Sequence, residues 1–342
     1  MTAVCTERIR TCPTCGSGRA RVACRAHERL YHLSPETFEY VRCSGCGVVY
    51  QSLRPAEADI AAFYPSDYGP YQAAPAVRHD AAAVPQGPHV PLHPGFRRKL
   101  RGAALKVLGR VNAAIARRLP DPLPGALHAM YDPPRPGAIL LDFGCGSAAF
   151  LDQARRRGWD TLGVDFVPGV VDAVRSAGHR GMLLTPTMWE SIPDGSIDAV
   201  RMNHVLEHLY APHETLAHLQ RKLRPGGRLH LATPNAACAT FALLGQRWFS
   251  LDCPRHIVLY SPKTVRPLLQ RAGFREITCY NEVLTKDMAR SLGYLLQDWG
   301  QLDDHGVSTM PDRPILNGML FGPARLAALL GRADRFHAIV SK

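Results

Sequence analysis

The feature that most constrains the fold is an alternation of short apolar segments with amphipathic helices, which begins at residue 138. The apolar segments are AILLDF, TLGVDF, GMLL, IDAVRMN and RLHLAT, and helical patterns lie near residues 147–157, 168–177 and 213–223. SPKTVRPLLQRAG then indicates another helix, a strand begins at Phe274, and RFHAIVSK has the pattern of a terminal strand. This alternation predicts an α/β domain with a parallel, doubly wound sheet, which we assign to residues 136–342.

The segment LLDFGCGSAAF predicts a strand that ends in a glycine turn and opens a helix. Its GxGxxA spacing matches the dinucleotide fingerprint, and Asp165 follows at about the expected 20 residues, where the next strand ends. Asp142 stands directly before the turn, where a carboxylate would repel a pyrophosphate but attract the ammonium and sulfonium groups of S-adenosylmethionine. The charge therefore favours S-adenosylmethionine as the cofactor, with an NAD-dependent protein as the alternative.

Two tight pairs of cysteines lie near the amino terminus, in CPTCG and CSGCG. Each pair is followed by a glycine, which permits a tight turn. Four thiolates suit a tetrahedral structural zinc ion, and without a metal this segment would have too little core to fold alone. We therefore predict a zinc-ribbon-like module over residues 1–68, and its four ligands are Cys12, Cys15, Cys43 and Cys46.

Residues 69–135 predict a linker followed by a basic amphipathic helix. FRRKLRGAALKVLGRVNAAIARRL places apolar residues, among them Val107 and Val111, at helical spacing. Residues 96–118 carry eight basic and no acidic side chains, within a formal net charge of +12 for the chain. Two alternatives stay open: the helix packs on the larger domain with its basic face in solvent, or it contacts a membrane surface or a polyanion.

The sequence contains no stretch of eighteen apolar residues, and MTAVCTERIRTCPTCG lacks the apolar centre of a signal peptide. We therefore expect a cytoplasmic protein without a transmembrane segment. The sequence leaves the oligomeric state open.

Four segments in this order, LLDFGCGSAAFL, GVDF, NHVLEHL and LRPGGRLHLATPN, resemble the motifs of class I S-adenosylmethionine-dependent methyltransferases. The branch is the one that includes the ubiquinone-biosynthesis O-methyltransferases, and the resemblance covers roughly residues 136–282. It implies a Rossmann-like sheet of seven strands whose last strand runs antiparallel, a position that RFHAIVSK could occupy.

The resemblance also implies which residues bind the cofactor. The methionine moiety would be held by Asp142, Gly144, Cys145 and Gly146. Asp165, which is followed by Phe166, would accept hydrogen bonds from both ribose hydroxyls. Ala148 stands where the family usually has a third glycine, which narrows the space beside the cofactor. LLTPTMWESIP lacks the acid that the family often uses for the adenine amino group. Met188 and Trp189 are stacking candidates there, with Glu190 as a late acid.

The segment NHVLEH follows the fourth predicted strand, at the edge where open parallel sheets bind ligands. Asn203 and His204 would lie at the mouth of the cofactor pocket, while Glu207 and His208 would begin the next helix. A further histidine, His256, lies in an insertion near residues 235–260, in a PRH segment that resembles one in methyltransferases acting on sugars and glycan precursors. Because methyl transfer requires removal of one proton, we favour His256 as general base or positioning residue, and His208 as second candidate.

Two other interpretations of NHVLEH stay open. Some relatives present two glutamates and a histidine to Mg²⁺ here, and His204 replaces the first glutamate, which would favour Zn²⁺ over Mg²⁺. In the other interpretation, Glu207 and His208 only support the pocket through hydrogen bonds.

The amino-terminal pattern, from CPTCG to FYPSDY, resembles the zinc-binding domain of sugar C-methyltransferases and glycan-cluster methyltransferases. The residues after Glu282 are too few for the further domain of the sugar C-methyltransferases, so we expect O-methylation of a small hydroxylated acceptor, such as a sugar, a sugar nucleotide or a natural-product intermediate. RNA methylation, with the zinc module and basic helix as a docking surface, is the alternative. A catalytically silent binding module is a third.

Overall fold

The computed structural model describes residues 5–65, 94–119 and 121–342, and side chains throughout these ranges except at 94–104. The strands are β1 (Thr6–Arg8), β2 (Ala20–His27), β3 (Thr37–Cys43), β4 (Val49–Pro55), β5 (Ile139–Phe143), β6 (Asp160–Asp165), β7 (Arg180–Leu183), β8 (Ile197–Asn203), β9 (Leu223–Pro234), β10 (Val258–Leu259), β11 (Arg275–Asn281) and β12 (Arg335–Ser341). The α-helices are α1 (Pro94–Arg118), α2 (Leu123–Met130), α3 (Ala149–Arg156), α4 (Pro168–Ser176), α5 (Pro212–Lys222), α6 (Ala239–Leu244), α7 (Pro262–Arg271), α8 (Lys286–Asp298), α9 (Asp304–Ser308) and α10 (Pro314–Leu329). Most of the predicted linker, residues 66–93, lies outside the described residues.

The larger sheet has seven strands in the order β11, β12, β9, β8, β5, β6, β7. Strands β5 to β9 pair in parallel, whereas β12 runs antiparallel to both β9 and β11. The predicted seven-stranded α/β fold with an antiparallel last strand is therefore confirmed. Strand β5, inside the sheet between β8 and β6, is mostly apolar because helices cover both faces of a parallel sheet, and Leu140, Leu141 and Phe143 are buried.

The predicted helices of this domain also form, as α3, α4 and α5. The segment that follows β8 differs from the expectation that Glu207 and His208 begin a helix. Residues 206–208 form a single 3-10 turn, and α5 begins only at Pro212, a residue suited to the first turn of a helix. Glu207 and His208 are thus held in the loop at the edge of the sheet.

The amino-terminal module forms a second sheet in the order β1, β4, β3, β2, and β10 from the insertion pairs antiparallel with β4. Two polar contacts reinforce this junction. The side-chain amide of Gln51 donates to the carbonyl oxygens of Pro254, at 2.9 Å, and His256, at 3.1 Å. The fully buried guanidinium of Arg255 lies 3.0 Å from the equally buried carboxylate of Glu28. The module and the insertion therefore share one sheet and one buried ion pair.

Helix α1 packs on α10. The basic helix therefore packs on the larger domain, which is the packing that the first of the two alternatives expected. The side chain of Leu108 lies against Gly318, and the side chain of Ile115 lies near Gly322. The expectation that Val107 and Val111 belong to the packed stripe is wrong, because these side chains are 59% and 49% exposed. Among the described residues, no helix has the length and apolar character needed to cross a membrane.

Candidate active site

The carboxyl ends of β5, β6 and β8 open into a cavity of about 1240 Å³. Its floor is the glycine turn after β5, and its far wall comes from the amino-terminal module, the insertion and α8. Parallel sheets bind ligands at this edge because the loops diverge there. We call the part lined by Gly144, Gly146, Asp165 and Arg201 the cofactor side, and the part lined by Arg29, Tyr31, His256, Arg290 and Tyr294 the acceptor side.

The glycine turn tolerates few amino-acid substitutions. Gly144 and Gly146 have φ angles of +73° and +61°, which disfavour any residue with a side chain. A Cβ atom on Gly144 would lie 2.4 Å from Cγ2 of Val205, so even alanine would collide there. The backbone amides of Gly144 and Cys145 donate to the carbonyl oxygen of Val164, at 2.8 and 3.0 Å. The turn thus brings bare backbone to the cavity floor.

Asp165 ends β6 beside this turn, and its carboxylate is almost fully buried. It accepts hydrogen bonds from the backbone amides of Gly146, at 2.9 Å, and Val167, at 3.1 Å. Burial raises its pKa, while these hydrogen bonds oppose the rise. Asp165 and its half-exposed neighbour Phe166 both line the cavity, where a ribose could contact them.

The expected role of Asp142 requires a correction. Its carboxylate is fully buried and does not line the cavity, because Nη1 of Arg201 lies 2.9 and 3.0 Å from its two oxygens. Burial alone would lower the pKa of the Arg201 guanidinium, but the negative charge of Asp142 has the larger effect and raises this pKa. Of this ion pair, it is Arg201 that lines the cavity. The sequence analysis missed Arg201, although it is the one cation in the apolar strand IDAVRMN.

The stacking candidates do not meet the cavity as expected. Met188 is buried away from it, and only Trp189 contributes to its wall. The Trp189 ring is stacked within the protein, on Phe143 at 5.6 Å and on His218 at 4.8 Å between ring centroids. An adenine ring therefore cannot stack on Trp189 without displacing one of these side chains.

Three histidines and a glutamate meet between the two sides of the cavity. Glu207 is fully buried; Nδ1 of His204 lies 3.1 Å from its Oε1, and Thr233 donates to its Oε2 at 2.9 Å. Burial alone would raise the pKa of Glu207, but the hydrogen bond with His204 and the neighbouring histidines lower it to about 2. His204 has φ of +56°, a conformation that costs a residue with a side chain about 1–2 kcal/mol. Such strain is typical of functional sites.

His208 and His256 lie edge to face with 4.6 Å between ring centroids, and both line the cavity. Nδ1 of His256 lies 2.8 Å from the carbonyl oxygen of Ser250, whereas Nδ1 of His208 lies 3.0 Å from the carbonyl oxygen of Arg255. Nε2 of His256 faces the carboxylates of Glu207, at 3.8 Å, and Asp252, at 3.7 Å. Burial and the neighbouring His256 lower the pKa of His208 to about 4.

The metal interpretation of this cluster changes in one ligand. Ligand atoms of Glu207, His208 and His256 lie within 4.8 Å of one another, close enough to converge on one ion. His204 is not part of this set, because its Nδ1 is a hydrogen-bond partner of Glu207. Two nitrogens and one carboxylate suit Zn²⁺ or a similar transition metal better than Mg²⁺.

The four predicted zinc ligands converge. Sγ atoms of Cys12 and Cys46 lie 3.7 Å apart, and those of Cys15 and Cys43 lie 3.5 Å apart. Sulfurs in a tetrahedral zinc site, with bonds of about 2.3 Å, are about 3.8 Å apart. These separations are far longer than a disulfide bond of about 2.0 Å. None of the ten cysteines, all within the described residues, forms a disulfide.

Residues 115–278 match a family model described as a methyltransferase domain, and they include the five parallel strands β5 to β9 and the glycine turn. These residues form a methyltransferase domain. A ubiquinone biosynthesis O-methyltransferase of Xanthomonas oryzae pv. oryzae is 32% identical over 127 residues, which cover 35% of this chain and 53% of the relative. A malonyl-[acyl-carrier protein] O-methyltransferase of Serratia marcescens is 33% identical over 131 residues, covering 38% and 50%.

The chain thus spans about half the length of each of these two relatives. Among solved structures, a SAM-dependent methyltransferase from Archaeoglobus fulgidus matches with a TM-score of 0.43 and 21% identity, over 72% of this chain and 98% of that one.

The acceptor side of the methyltransferase domain is completed by segments far apart in the sequence. The module contributes Arg29, Tyr31 and Tyr64, and the hydroxyl of Tyr64 lies 2.9 Å from Nδ1 of His208. Helix α8 contributes Arg290 and Tyr294. The sequence analysis missed all five, and no local motif marks them, because only the packing of the module and α8 around the cavity brings them together.

Proposed function

We propose that the protein transfers the methyl group of S-adenosylmethionine to an oxygen of a small hydroxylated acceptor, such as a sugar, a sugar nucleotide or a natural-product intermediate. The observation that carries the proposal is the single cavity that runs from the glycine turn and Asp165 to His256. Its volume of about 1240 Å³ exceeds the roughly 300–1,000 Å³ of most small-molecule sites, so cofactor and acceptor would fit together.

Three groups on the cofactor side match the parts of S-adenosylmethionine. The turn at Gly144–Gly146 offers bare backbone, the Asp165 carboxylate suits the ribose hydroxyls, and the Arg201 guanidinium suits the carboxylate of the methionine moiety. When bound, the cofactor supplies an activated methyl group on a sulfonium. The protein then has to orient the acceptor and remove its proton.

His256 is suited to remove that proton. With its Nδ1–H donated to the carbonyl oxygen of Ser250, the neutral ring has its lone pair on Nε2. The carboxylates of Glu207 and Asp252 near Nε2 would stabilise the imidazolium that forms. The acceptor hydroxyl would give its proton to Nε2 as its oxygen bonds to the methyl carbon and the carbon–sulfur bond breaks. His208 is the poorer base at neutral pH, because its pKa is lowered to about 4.

The acceptor side combines aromatic walls with a cation. Tyr31, Phe249 and Tyr294 line it, and the guanidinium of Arg290 lies over the Phe249 ring at 4.6 Å from the centroid. Aromatic faces suit sugar rings or bases, and a guanidinium suits a phosphate or carboxylate. This combination favours an anionic acceptor such as a sugar nucleotide. The RNA alternative is less favoured, because the two curated relatives named above are O-methyltransferases of other acceptors.

For the amino-terminal module we propose a structural zinc ion held by Cys12, Cys15, Cys43 and Cys46. Support comes from the short sulfur separations and from the small core of the module. The ion would stabilise the sheet to which β10, and with it His256, is attached.

The proposed function can be tested in two steps. Calorimetric titration of the purified protein with S-adenosylmethionine, and separately with NAD, should give binding only with the first. Labelled methyl transfer into a host-cell extract, with products separated by size and nuclease sensitivity, should then place the label in small, nuclease-resistant products. Label in large, RNase-sensitive material would favour the RNA alternative, and absence of cofactor binding would favour a silent binding module.

A further inference from the structure

Helices α1 and α10 form a pair that lies side by side and runs in the same direction. Leu108 packs on Gly318 near one end of the contact, and Nε of Arg325 donates to the carbonyl oxygen of Leu119, at 2.8 Å, near the other. Residue numbers increase together along the contact, so the helices are parallel. The pair presents one side to the rest of the domain and another to solvent.

Leu329 is half exposed and continues the line of Gly318 and Gly322 along α10. Five further apolar side chains of this pair are largely exposed: Val107 and Val111 on α1, and Met319, Leu326 and Leu330 on or directly after α10. The line of contact between the helices runs through Leu108 and Ile115 on α1 and through Gly318 and Gly322 on α10. Around the axis of α1, both valines precede this line by about a quarter turn, whereas around the axis of α10 the three residues follow it by about a quarter turn. Because two parallel helices face each other, these opposite rotations point to the same side of the pair. We call this surface the α1/α10 face.

The surroundings of the α1/α10 face are cationic. Lys106, Arg110, Arg117 and Arg118 of α1 are exposed, and neither α1 nor α10 contains an aspartate or glutamate. Arg118 lies on the same side as Val111, and the other three lie along the outer edge of α1. Exposed apolar residues bordered by Lys and Arg, with no acidic residue among them, are the pattern of a helix that lies on an anionic membrane surface.

We propose that the α1/α10 face binds the surface of an anionic lipid bilayer. The apolar side chains would enter the interface between headgroups and acyl chains, while the basic edge would contact lipid phosphates. A second copy of the chain fits this face less well, because a symmetric contact would bring two identical cationic edges together. A nucleic acid would use the basic edge but leave the five apolar residues exposed to water.

Co-sedimentation of the full chain with vesicles tests this proposal. Vesicles of phosphatidylcholine mixed with phosphatidylglycerol should bind the protein, and vesicles of phosphatidylcholine alone should bind far less. Leu326→Asp should lower the partition coefficient on the mixed vesicles by roughly tenfold or more, because it removes a leucine that would insert into the bilayer and adds a charge that anionic lipids repel. Arg110→Glu should cause a loss of similar size. Leu243→Asp, at a residue 82% exposed on α6 and outside this face, is the matched control.

Leu326 on the face and Arg110 on the basic edge are both exposed to solvent, so thermal unfolding of the two variants should match that of the wild type. Failure of the wild type to bind mixed vesicles would overturn the proposal. Equal binding by Leu326→Asp and wild type would also overturn it. Sedimentation velocity adds a third criterion: self-association that Leu326→Asp abolishes, without vesicle binding, would assign the face to a second copy instead.

Discussion

The two sides of the cavity are built in different ways. Most of the cofactor side comes from one stretch of chain, in which strand, glycine turn, helix and the next strand place Gly144, Gly146 and Asp165 within 22 residues of each other in sequence, and Arg201 joins them from β8. The acceptor side joins residues as distant as Tyr31 and Tyr294, across the shared sheet formed by β4 and β10. Cofactor binding should therefore survive changes that destroy acceptor binding.

Removal of the proposed zinc should have the largest effect of all, and this effect should differ most between acceptor binding and cofactor binding. In Cys43→Ser the module loses a ligand and its fold, so methyl transfer should fall below detection while S-adenosylmethionine still binds within about threefold of wild type. Metal analysis, calorimetry and the transfer assay measure the three effects. Cys5→Ser, at an exposed cysteine outside the cluster, is the matched control. Parallel loss of cofactor binding would contradict the independence of the two sides.

His256→Ala should be next in size. Loss of a general base lowers turnover by roughly 10²–10⁴-fold, and cofactor affinity should stay unchanged because His256 belongs to the acceptor side. Single-turnover kinetics and calorimetry measure both quantities. The same variant examines the Glu207, His208 and His256 set: loss of a second metal equivalent, beyond the cysteine-bound zinc, would mean that His256 is a metal ligand. Wild-type turnover would refute the base assignment.

Asp165→Asn examines the cofactor side alone. Replacement of two charge-assisted hydrogen bonds to the ribose by weaker neutral ones should raise the dissociation constant for S-adenosylmethionine by roughly 100-fold. Calorimetry measures this constant, and the exposed Asp172, replaced by Asn on α4, controls for the loss of one negative charge. An unchanged dissociation constant would mean that the ribose does not contact Asp165.

His208 joins the two sides, and its contribution should depend on pH. Its folded-state pKa of about 4 lies below the unfolded value of about 6.5, so the unfolded chain binds its proton first. Stability is therefore complete above pH 6.5 and declines as the pH falls towards 4, by about 3 kcal/mol from this group. In His208→Gln, the part of the pH dependence of folding stability that comes from this histidine should disappear. Chemical denaturation across this pH range, with His128→Gln at an exposed histidine as control, measures it. Parallel slopes in wild type and His208→Gln would contradict the assignment.

Trp189→Phe should have the smallest effect on binding. The ring is stacked on Phe143 and His218, so its replacement should destabilise the fold by about 1–2 kcal/mol but change the dissociation constant for S-adenosylmethionine less than about threefold. Calorimetry and denaturation separate the two quantities. A tenfold loss of affinity would restore Trp189 as a contact of the adenine ring.

Features that rest on local sequence lie in the structure where the sequence analysis expected them. The alternation of strands and helices, the glycine turn, Asp165 and the four cysteines all rest on spacing within a single element or turn, and the structure has the elements and the sulfur cluster where they were expected. The assignments for Asp142, Trp189 and His204 were changed by neighbours from other elements. Arg201 neutralises the first, His218 stacks on the second, and His256 takes the place of the third in the set of side chains that could hold a metal.

The sequence by itself determined the class I fold, the edge of the sheet that binds ligands, and the four candidate zinc ligands. Each of these follows from periodicity, turn chemistry or ligand spacing, which are properties of short segments. Only the tertiary structure decided which charges reach the cavity and what encloses its acceptor side. Burial and pairing depend on which elements meet, and Glu28 and Arg255 meet across 227 positions because β10 joins the sheet of the amino-terminal module.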